Sequence, residues 1–454
     1  MTDMIRDGFL PAEKRIFAWI EEVFGHGVRR PGYPADRWAE RWAQEQFRGF
    51  GLERVRAEPV EMPYWEPIAA ALTVSAGVRI MELPCFALPL CVPGVVEAEL
   101  AAFDADAPAR VQGAIALADA PLMRVPHAWY ANMATWHYDP AGTFGGSQQV
   151  LPFSRQFQDA MEPALDAGAL GFVGTLSGYP GDSHDYYVPY DGKHRPIPGV
   201  WVSGSDGARL RELLAAGPVR ARLRVDARRE MITSYNIVGE LAGADDEAVI
   251  IGSHHDGPWS SAVEDSSGIA LVLAQAAYWS QVRQGERPHR LVFLLNSGHM
   301  AGGAGQRTFV ETHRSELDRV VLEVHLEHTA NEFAEQDGAL RPTGHPEARW
   351  WFTSRIGRLE AAVRAAIEAE DLTRSLMLRP DAFGPKPTTD GADFFLAGVP
   401  LVNFLTAPFY LFDAMDTLDK IHRPSLVPVT RAAARIIAST AGVSAAAMRA
   451  DTVE

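Results

Sequence analysis

From residue 229 onward, short apolar runs alternate with helical patterns, and this alternation most constrains the fold. The runs "AVIIGS" (248–253), "RLVFLLNS" (290–297), "RVVLEVHLEH" (319–328) and "VPLVNFL" (399–405) are typical of buried strands. Strands that alternate with helices predict an α/β fold with a doubly wound, mostly parallel sheet. In such sheets, ligands bind beyond the carboxyl ends of the strands.

The residues before 229 fall into two segments that differ in composition and in secondary-structure pattern. Residues 1–84 contain helical patterns at 11–24 and 36–49, followed by strand patterns, and we expect them to form the N-terminal part of the main domain. Residues 85–228 are rich in Pro, Gly and aromatic side chains, with short strand patterns such as "GALGFVGT". This segment predicts a small inserted α/β domain, after which 229–454 form the main, catalytic-type domain.

The charge and the apolar content restrict the classes of partner. A net charge of −16 over 454 residues argues against nucleic acid and against an anionic membrane surface, since both need a basic face. The first 24 residues lack the long apolar centre of a signal peptide, and no run reaches the roughly 18 apolar residues of a membrane span. We therefore expect a cytoplasmic protein, and the sequence is compatible with a homo-oligomer.

Polar clusters follow three consecutive strand patterns. They contain five histidines with neighbouring carboxylates, namely His254, His255 and Asp256, then His299, then His325, Glu327 and His328. Asp265 lies between the first two clusters, at the start of a helical pattern. Imidazole and carboxylate are the ligands that zinc and similar divalent metals take. The sequence therefore predicts a metal site at this edge of the sheet.

Four segments together carry a family resemblance. They are "NIVGELAGADDEAVIIGSHHDG", "EDSSGIALVLAQA", "GHMAGGAGQRTFV" and "TDGADFFLAGVPLVNF". In order and spacing they resemble the zinc aminopeptidases of metallopeptidase family twenty-eight, a group that includes glutaminyl cyclases. The resemblance covers about 229–425, and the 85–228 insert resembles the protease-associated domain of several members.

The resemblance implies one complete metal position. Its ligands would be His254, Asp265 as the bridging carboxylate, and Glu327, with Asp256 orienting the histidine from behind. The second position is incomplete. His299 and Met300 stand where the family has a Glu-Glu pair, and Phe412 stands where it has its last ligand histidine. A shifted alignment would instead bring in Asp413, Tyr410 or His422.

These residues predict a single divalent metal with an open position for water or substrate. Zinc is the favoured ion, and manganese or another transition metal is the alternative. With the usual carboxylate base missing, His299 becomes the candidate acid/base. The predicted function is a metal-dependent hydrolase of an amide or related C–N bond in a small molecule or short peptide.

Further side chains are candidates for substrate contact. At the metal edge they are His325, His328, Asp390, Asp393, Phe412, Met300 and Tyr187, and in the insert loops Trp136, His137, Tyr186, His194 and Arg195. Strand alternation predicts that His325 and Glu327 point to the same face, with His328 opposite unless the strand has ended. The same alternation turns His255 away from His254.

Three other functions stay open on the sequence. The first is a non-catalytic binding protein on a decayed peptidase scaffold. The others are a conventional aminopeptidase and a cyclase-like acyl transfer.

Overall fold

A large sheet dominates the computed structural model, which describes residues 5–153 and 155–453, without the side chains of 155–159. Fifteen strands form it, in the order β3-β10-β9-β5-β4-β11-β13-β12-β14-β19-β17-β18-β7, with β1 paired to β11 and β2 paired to β1. The chain is therefore a mixed α/β protein, as predicted.

Nearly all of the strands belong to this sheet. They are β1 (Glu53–Ala76), β2 (Arg79–Leu83), β3 (Phe86–Ala87), β4 (Gly94–Ala102), β5 (Ile115–Asp119), β6 (Arg124–Pro126), β7 (Trp136–Tyr138), β8 (Gln148–Val150), β9 (Gly171–Leu176), β10 (Gly199–Ser203), β11 (Arg220–Leu241), β12 (Ala248–His254), β13 (Arg290–Asn296), β14 (Val320–Leu326), β15 (Asn331–Gln336), β16 (Ala339–Pro346), β17 (Arg349–Thr353), β18 (Ser375–Leu378) and β19 (Leu401–Thr406). Strands β6 and β8 pair separately, as do β15 and β16.

The helices cover both faces of the sheet. They are α1 (Glu13–Gly25), α2 (Pro34–Gly49), α3 (His127–Met133), α4 (Arg155–Asp166), α5 (Gly204–Ala216), α6 (Gly268–Gln281), α7 (Ala304–Thr312), α8 (Gly357–Ala369), α9 (Ala392–Leu396), α10 (Leu426–Ala438) and α11 (Ala445–Ala450). No helix within the described ranges is long and apolar enough to cross a membrane.

The centre of the sheet is parallel and buried on both sides. Strands β13, β12, β14 and β19 run parallel to one another in that order, and every residue of β12, β14 and β19 is buried. Helix α6 packs on one face with α1 and α10. Phe309 of α7 and Phe394 of α9 pack on the other face. Burial on both faces explains why these strands read as continuous apolar runs.

The predicted insert shares its sheet with the main domain. Strands β1 and β11 pair antiparallel over most of their length, so the predicted boundary at 228 falls inside β11. The two strand patterns expected before residue 77 form the single strand β1. Strand β7, from the predicted insert, pairs antiparallel with β18 at the far edge of the sheet. The 85–228 segment therefore reaches both ends of the sheet and flanks the carboxyl edge of its central strands.

Candidate metal centre

Four histidines converge at the carboxyl edge of the central strands. His254 ends β12, His299 follows β13, and His325 and His328 lie at the end of β14. Nδ1 of His254 lies 2.8 Å from the backbone oxygen of Asp256, and Nδ1 of His328 lies 2.7 Å from that of Thr406. Because a carbonyl only accepts, each Nδ1 carries the proton and leaves its Nε2 lone pair free.

The other two histidines are held by carboxylates. Nδ1 of His299 lies 2.9 Å from Oδ1 of Asp390, and Nδ1 of His325 lies 2.8 Å from Oε1 of Glu323. Carboxylates that hold the far nitrogen of a histidine fix its ring and are characteristic of metal-ligating histidines. The Nε2 atoms of these two histidines are thus not used by the contacts that hold the rings.

Glu264 lies at the middle of these histidines. Its Oε1 is 3.3 Å from Nε2 of His254 and 3.4 Å from Nε2 of His299, and its Oε2 is 2.7 Å from Nε2 of His328. Three donors bound to one zinc at about 2.0–2.2 Å in a tetrahedron lie roughly 3.3–3.6 Å apart. His254, Glu264 and His299 therefore have the donor chemistry and spacing of a metal site.

Apart from one another, several buried polar atoms at this centre have no hydrogen-bond partner within the described residues. They include both carboxylate oxygens of Glu264 and the Nε2 atoms of His254, His325 and His328. Unpaired buried polar atoms are costly. A divalent cation would satisfy them, so the residues present fit a metal.

Arg29 and Asp416 hold the backbone of Glu264 from both sides. The buried Arg29 guanidinium donates to the carbonyl oxygens of His255 (3.2 Å), Ser261 (3.1 Å) and Glu264 (3.3 Å). Burial lowers the pKa of Arg29 to about 10, so it remains charged at neutral pH. The carboxylate of Asp416 accepts the N–H of Glu264 at 2.9 Å. No sequence motif indicated Arg29, which lies 235 residues before Glu264.

Asp256 clamps the turn after β13. Its carboxylate accepts the backbone N–H of His299 (3.1 Å) and of Met300 (2.8 Å). Its own carbonyl oxygen holds His254. Asp256 thus links His254 and His299, two of the three donors. It holds His254 through its backbone oxygen, whereas the sequence predicts that its side chain orients that histidine.

Asp265, predicted as the bridging ligand, is engaged elsewhere. Its Oδ1 accepts the N–H of Gly268 at 2.9 Å, and its Oδ2 accepts the hydroxyl of Ser253. Its Oδ2 is 3.7 Å from Nε2 of His254, farther than Glu264. The geometry favours the preceding residue as the central carboxylate. The signal was available, because Asp265 stands three residues before Gly268 at the spacing of a helix cap.

Glu327 and His328 both face the centre. One oxygen of Glu327 accepts the Asn403 amide, and the other is 3.9 Å from Nε2 of His328. Burial and the nearby charge of Asp390 raise the pKa of Glu327 to about 7. Strand β14 ends at Leu326, so alternation stops there and His328 does not point away.

The other predicted contacts separate into two groups. His255 points away, as expected, and lies 2.8 Å from Asp36. A cavity of about 1000 Å³ adjoins the centre, and Asp390, Asp393, Phe412 and His328 line it. Several predicted substrate contacts are not among its lining residues in the described part of the chain, namely Met300, Tyr187, His325, Trp136, His137, Tyr186, His194 and Arg195. The same holds for the alternatives to Phe412 at the last ligand position, namely Asp413, Tyr410 and His422.

Two of these residues correct the substrate-contact prediction. Met300 is 2% exposed and packs in the main core, and Tyr187 is 3% exposed and donates its N–H to the carbonyl of Phe412. Both stand behind the cavity wall. The insert contributes other residues that the sequence did not suggest, including Trp129, Tyr130, Phe153 and Tyr190.

Comparison with solved structures supports the same fold over nearly the whole chain. The peptidase M28 precursor of Shewanella amazonensis has a TM-score of 0.71 at 22% identity, covering 94% of this chain and 92% of that one. The zinc aminopeptidase BSAP of Bacillus subtilis has a TM-score of 0.67 at 18% identity, covering 98% and 99%. This fold is that of the M28 peptidases.

Sequence comparison points to the same family. Residues 236–437 match the model of Peptidase family M28. Leucine aminopeptidase 2 of Arthroderma otae is 31% identical over 118 residues, covering 26% of this chain and 23% of that protein. A probable leucine aminopeptidase 2 of Aspergillus oryzae is 30% identical over 167 residues, covering 35% and 31%. The chain thus spans less than a third of either relative's length.

Proposed function

We propose that this protein is a metal-dependent hydrolase of an amide bond in a small molecule or short peptide. The observation that carries the proposal is the set of three anchored histidines, His254, His299 and His328, whose Nε2 atoms converge on Glu264. The match of residues 236–437 to the M28 family model and the names of the similar proteins, zinc aminopeptidase and leucine aminopeptidase, support it.

The proposed ligands of a single divalent ion, zinc foremost, are His254, Glu264 and His299. Two histidines and a glutamate form one of the ligand sets of catalytic zinc, which leaves a fourth position open. An ion at this position supplies Lewis acidity, which activates water and polarises the amide carbonyl. This proposal replaces Asp265 by Glu264 and makes His299 a ligand held by Asp390.

Glu327 is the proposed proton acceptor. Its carboxylate lines the cavity beside Glu264, and Asn403 orients it. In that place it can take the proton of the attacking water and return it to the leaving amine. His328, 3.9 Å away, keeps the carboxylate in a polar environment. Asp256 holds His254 and the turn of His299 in place throughout.

The decisive experiment is metal analysis of protein purified without chelator, combined with hydrolysis of a panel of aminoacyl and N-acyl amides. We expect about one equivalent of metal per chain and activity that chelation removes and metal restores. His299→Ala should lose the metal as well as the activity. A His299→Ala protein that keeps its metal but loses turnover would return His299 to the acid/base role.

Two results would contradict the proposal itself. A protein that binds no metal and cleaves no amide would be a binding protein on a peptidase scaffold. Two equivalents per chain would contradict the single-ion site.

A further inference from the structure

The cavity beside the metal centre has walls built from two parts of the chain. Its volume of about 1000 Å³ is at the upper end of the usual range for small-molecule sites. Trp129 and Tyr130 come from α3, and Trp350, Phe352 and Phe383 from the segment around β17 and β18. These walls are mainly aromatic, so the cavity suits a bulky apolar group.

An aromatic floor leads from these walls to the centre. The ring of Phe412 lies 5.4 Å from that of Phe153 and 4.7 Å from that of Tyr190, and the Tyr190 ring lies 5.1 Å from that of His299. Phe412 is 1% exposed. An apolar group placed on this floor would sit directly beside the scissile bond.

Carboxylates that could receive an ammonium group already have other contacts. Those lining the cavity in the described part of the chain are Glu264, Glu327, Asp390 and Asp393. Glu264 faces three histidines, Asp390 lies 2.9 Å from His299, and Asp393 lies 4.0 Å from Lys386. One oxygen of Glu327 holds the neutral Asn403 amide, and an ammonium bound to the other would block its proposed role as proton acceptor. A charged amine in this apolar space would therefore have to compete with these contacts, which is costly.

Neutral polar groups line the same cavity. Among the described residues, Oδ1 of Asn296, Nε2 of Gln306 and the hydroxyls of Thr389 and Thr406 have no hydrogen-bond partner. An amide acceptor, an amide donor and two hydroxyls match a neutral, hydrogen-bonding group. They therefore suit the polar part of a substrate beyond the scissile bond.

From these walls and pairings we infer the substrate class, which rests on the proposed hydrolase function. The substrate is an amide that joins a bulky apolar acyl group, without an ammonium next to the scissile carbonyl, to a polar amine part. The acyl group lies on the Phe153–Phe412–Tyr190 floor. The polar part meets Asn296, Gln306 and the two threonines.

A matched pair of substrates tests this inference. 3-Phenylpropionyl-glycine and phenylalanyl-glycine differ only in the α-ammonium, and both release glycine on hydrolysis. We expect kcat/KM of the metal-loaded protein to be about tenfold or more higher for the first, because the second buries an unpaired charge. Equal values, or a preference for phenylalanyl-glycine, would overturn the inference.

A binding measurement separates this inference from the proposed function. 3-Phenylpropionohydroxamate and phenylalanine hydroxamate carry the same head group, and calorimetry on the metal-loaded protein compares their affinities without turnover. Tighter binding of the first by about tenfold supports the inference even if no amide is cleaved. Equal or reversed affinities overturn it. If the expected affinities are found but no amide is hydrolysed, the result contradicts the proposed hydrolase function and not this inference.

A pair of variants tests whether an added carboxylate changes which hydroxamate binds more tightly. Phe412→Asp places a carboxylate on the floor, and Phe412→Asn is its uncharged control of the same size. We expect only the aspartate to shift the ratio of the two hydroxamate affinities toward phenylalanine hydroxamate. An equal shift in both variants would show that lost packing, and not charge, sets the preference.

Discussion

Two clusters of buried histidine and carboxylate side chains in this protein differ in what balances their charge. In one, His127, Glu332 and Glu347 bring ligand-type atoms within 4.8 Å of one another. There the buried guanidinium of Arg374 lies 2.6 Å from Glu332. In the other, histidines lie against the carboxylate of Glu264 among the described residues, and the Arg29 guanidinium donates to its backbone carbonyl instead.

The difference separates a salt-bridge cluster from a metal site. Arg374 already supplies a fixed positive charge to the first cluster, so a cation would add repulsion there. At Glu264 the anchored histidines offer nitrogen donors to an ion, and the fixed charge of Arg29 is directed at backbone carbonyls and not at the carboxylate. Both clusters bring histidine and carboxylate atoms within 4.8 Å of one another, and the group that faces the carboxylate separates them.

The largest expected effect is on metal content. His254→Ala removes one of three donors, and we expect it to lose the bound metal and all measurable hydrolysis. His127→Ala is the matched control, with full metal content and a free energy of unfolding lower by about 1–3 kcal/mol. Elemental analysis and urea unfolding measure the two quantities. Loss of metal in His127→Ala alone would reverse the assignment of the two clusters.

A second pair of variants sharpens the comparison within the metal centre. Glu264→Gln should weaken metal binding by more than the roughly 10–100-fold typical of residues that only orient a ligand. Asp265→Asn should weaken it by about tenfold or less, because that carboxylate serves Gly268 and Ser253. Competition with a fluorescent zinc chelator gives both affinities. A greater loss in Asp265→Asn would restore the original prediction for Asp265.

The smallest expected effect is a pH dependence in the His127 cluster. Burial and the charge of Arg374 lower the pKa of His127 to about 4, from 6.5. The unfolded chain therefore binds the proton more readily than the folded protein. The contribution of neutral His127 to the free energy of unfolding is complete above pH 6.5 and is lost as the pH falls toward 4. This contribution to the free energy of unfolding is at most about 3 kcal/mol.

The measurement is the free energy of urea unfolding at pH 7 and at pH 4.5. The wild-type protein should lose more stability on acidification than His127→Asn, which has no titrating ring. Equal losses in the two proteins would show that His127 does not stay neutral in the folded state.

The sequence predicted the parts of the site that regular structure determines. His254 could be placed because it ends a buried parallel strand, and such ends meet at one edge of the sheet. Glu264 could not, because its backbone angles (φ −97°, ψ 93°) are not helical. No periodicity then tells which of two adjacent carboxylates points inward.

Long-range contacts set the remaining parts. Arg29 reaches Glu264 across 235 residues, and the pairing of β7 with β18 fixes the insert against the sheet. The aromatic walls of the cavity depend on that packing. Short motifs carry no information on such contacts, so the insert residues proposed from the sequence differ from those that line the cavity.

The clamp that Asp256 places on the turn of His299 and Met300 has an evolutionary consequence. It grips main-chain hydrogens, which nineteen of the twenty amino acids supply alike, since proline alone lacks a backbone N–H. The backbone conformation of the turn therefore does not depend on the side chains at 299 and 300. Substitutions at 299 and 300 can change the chemistry offered to an ion while the supporting loop keeps its form, which makes this corner a natural place for new activities to arise.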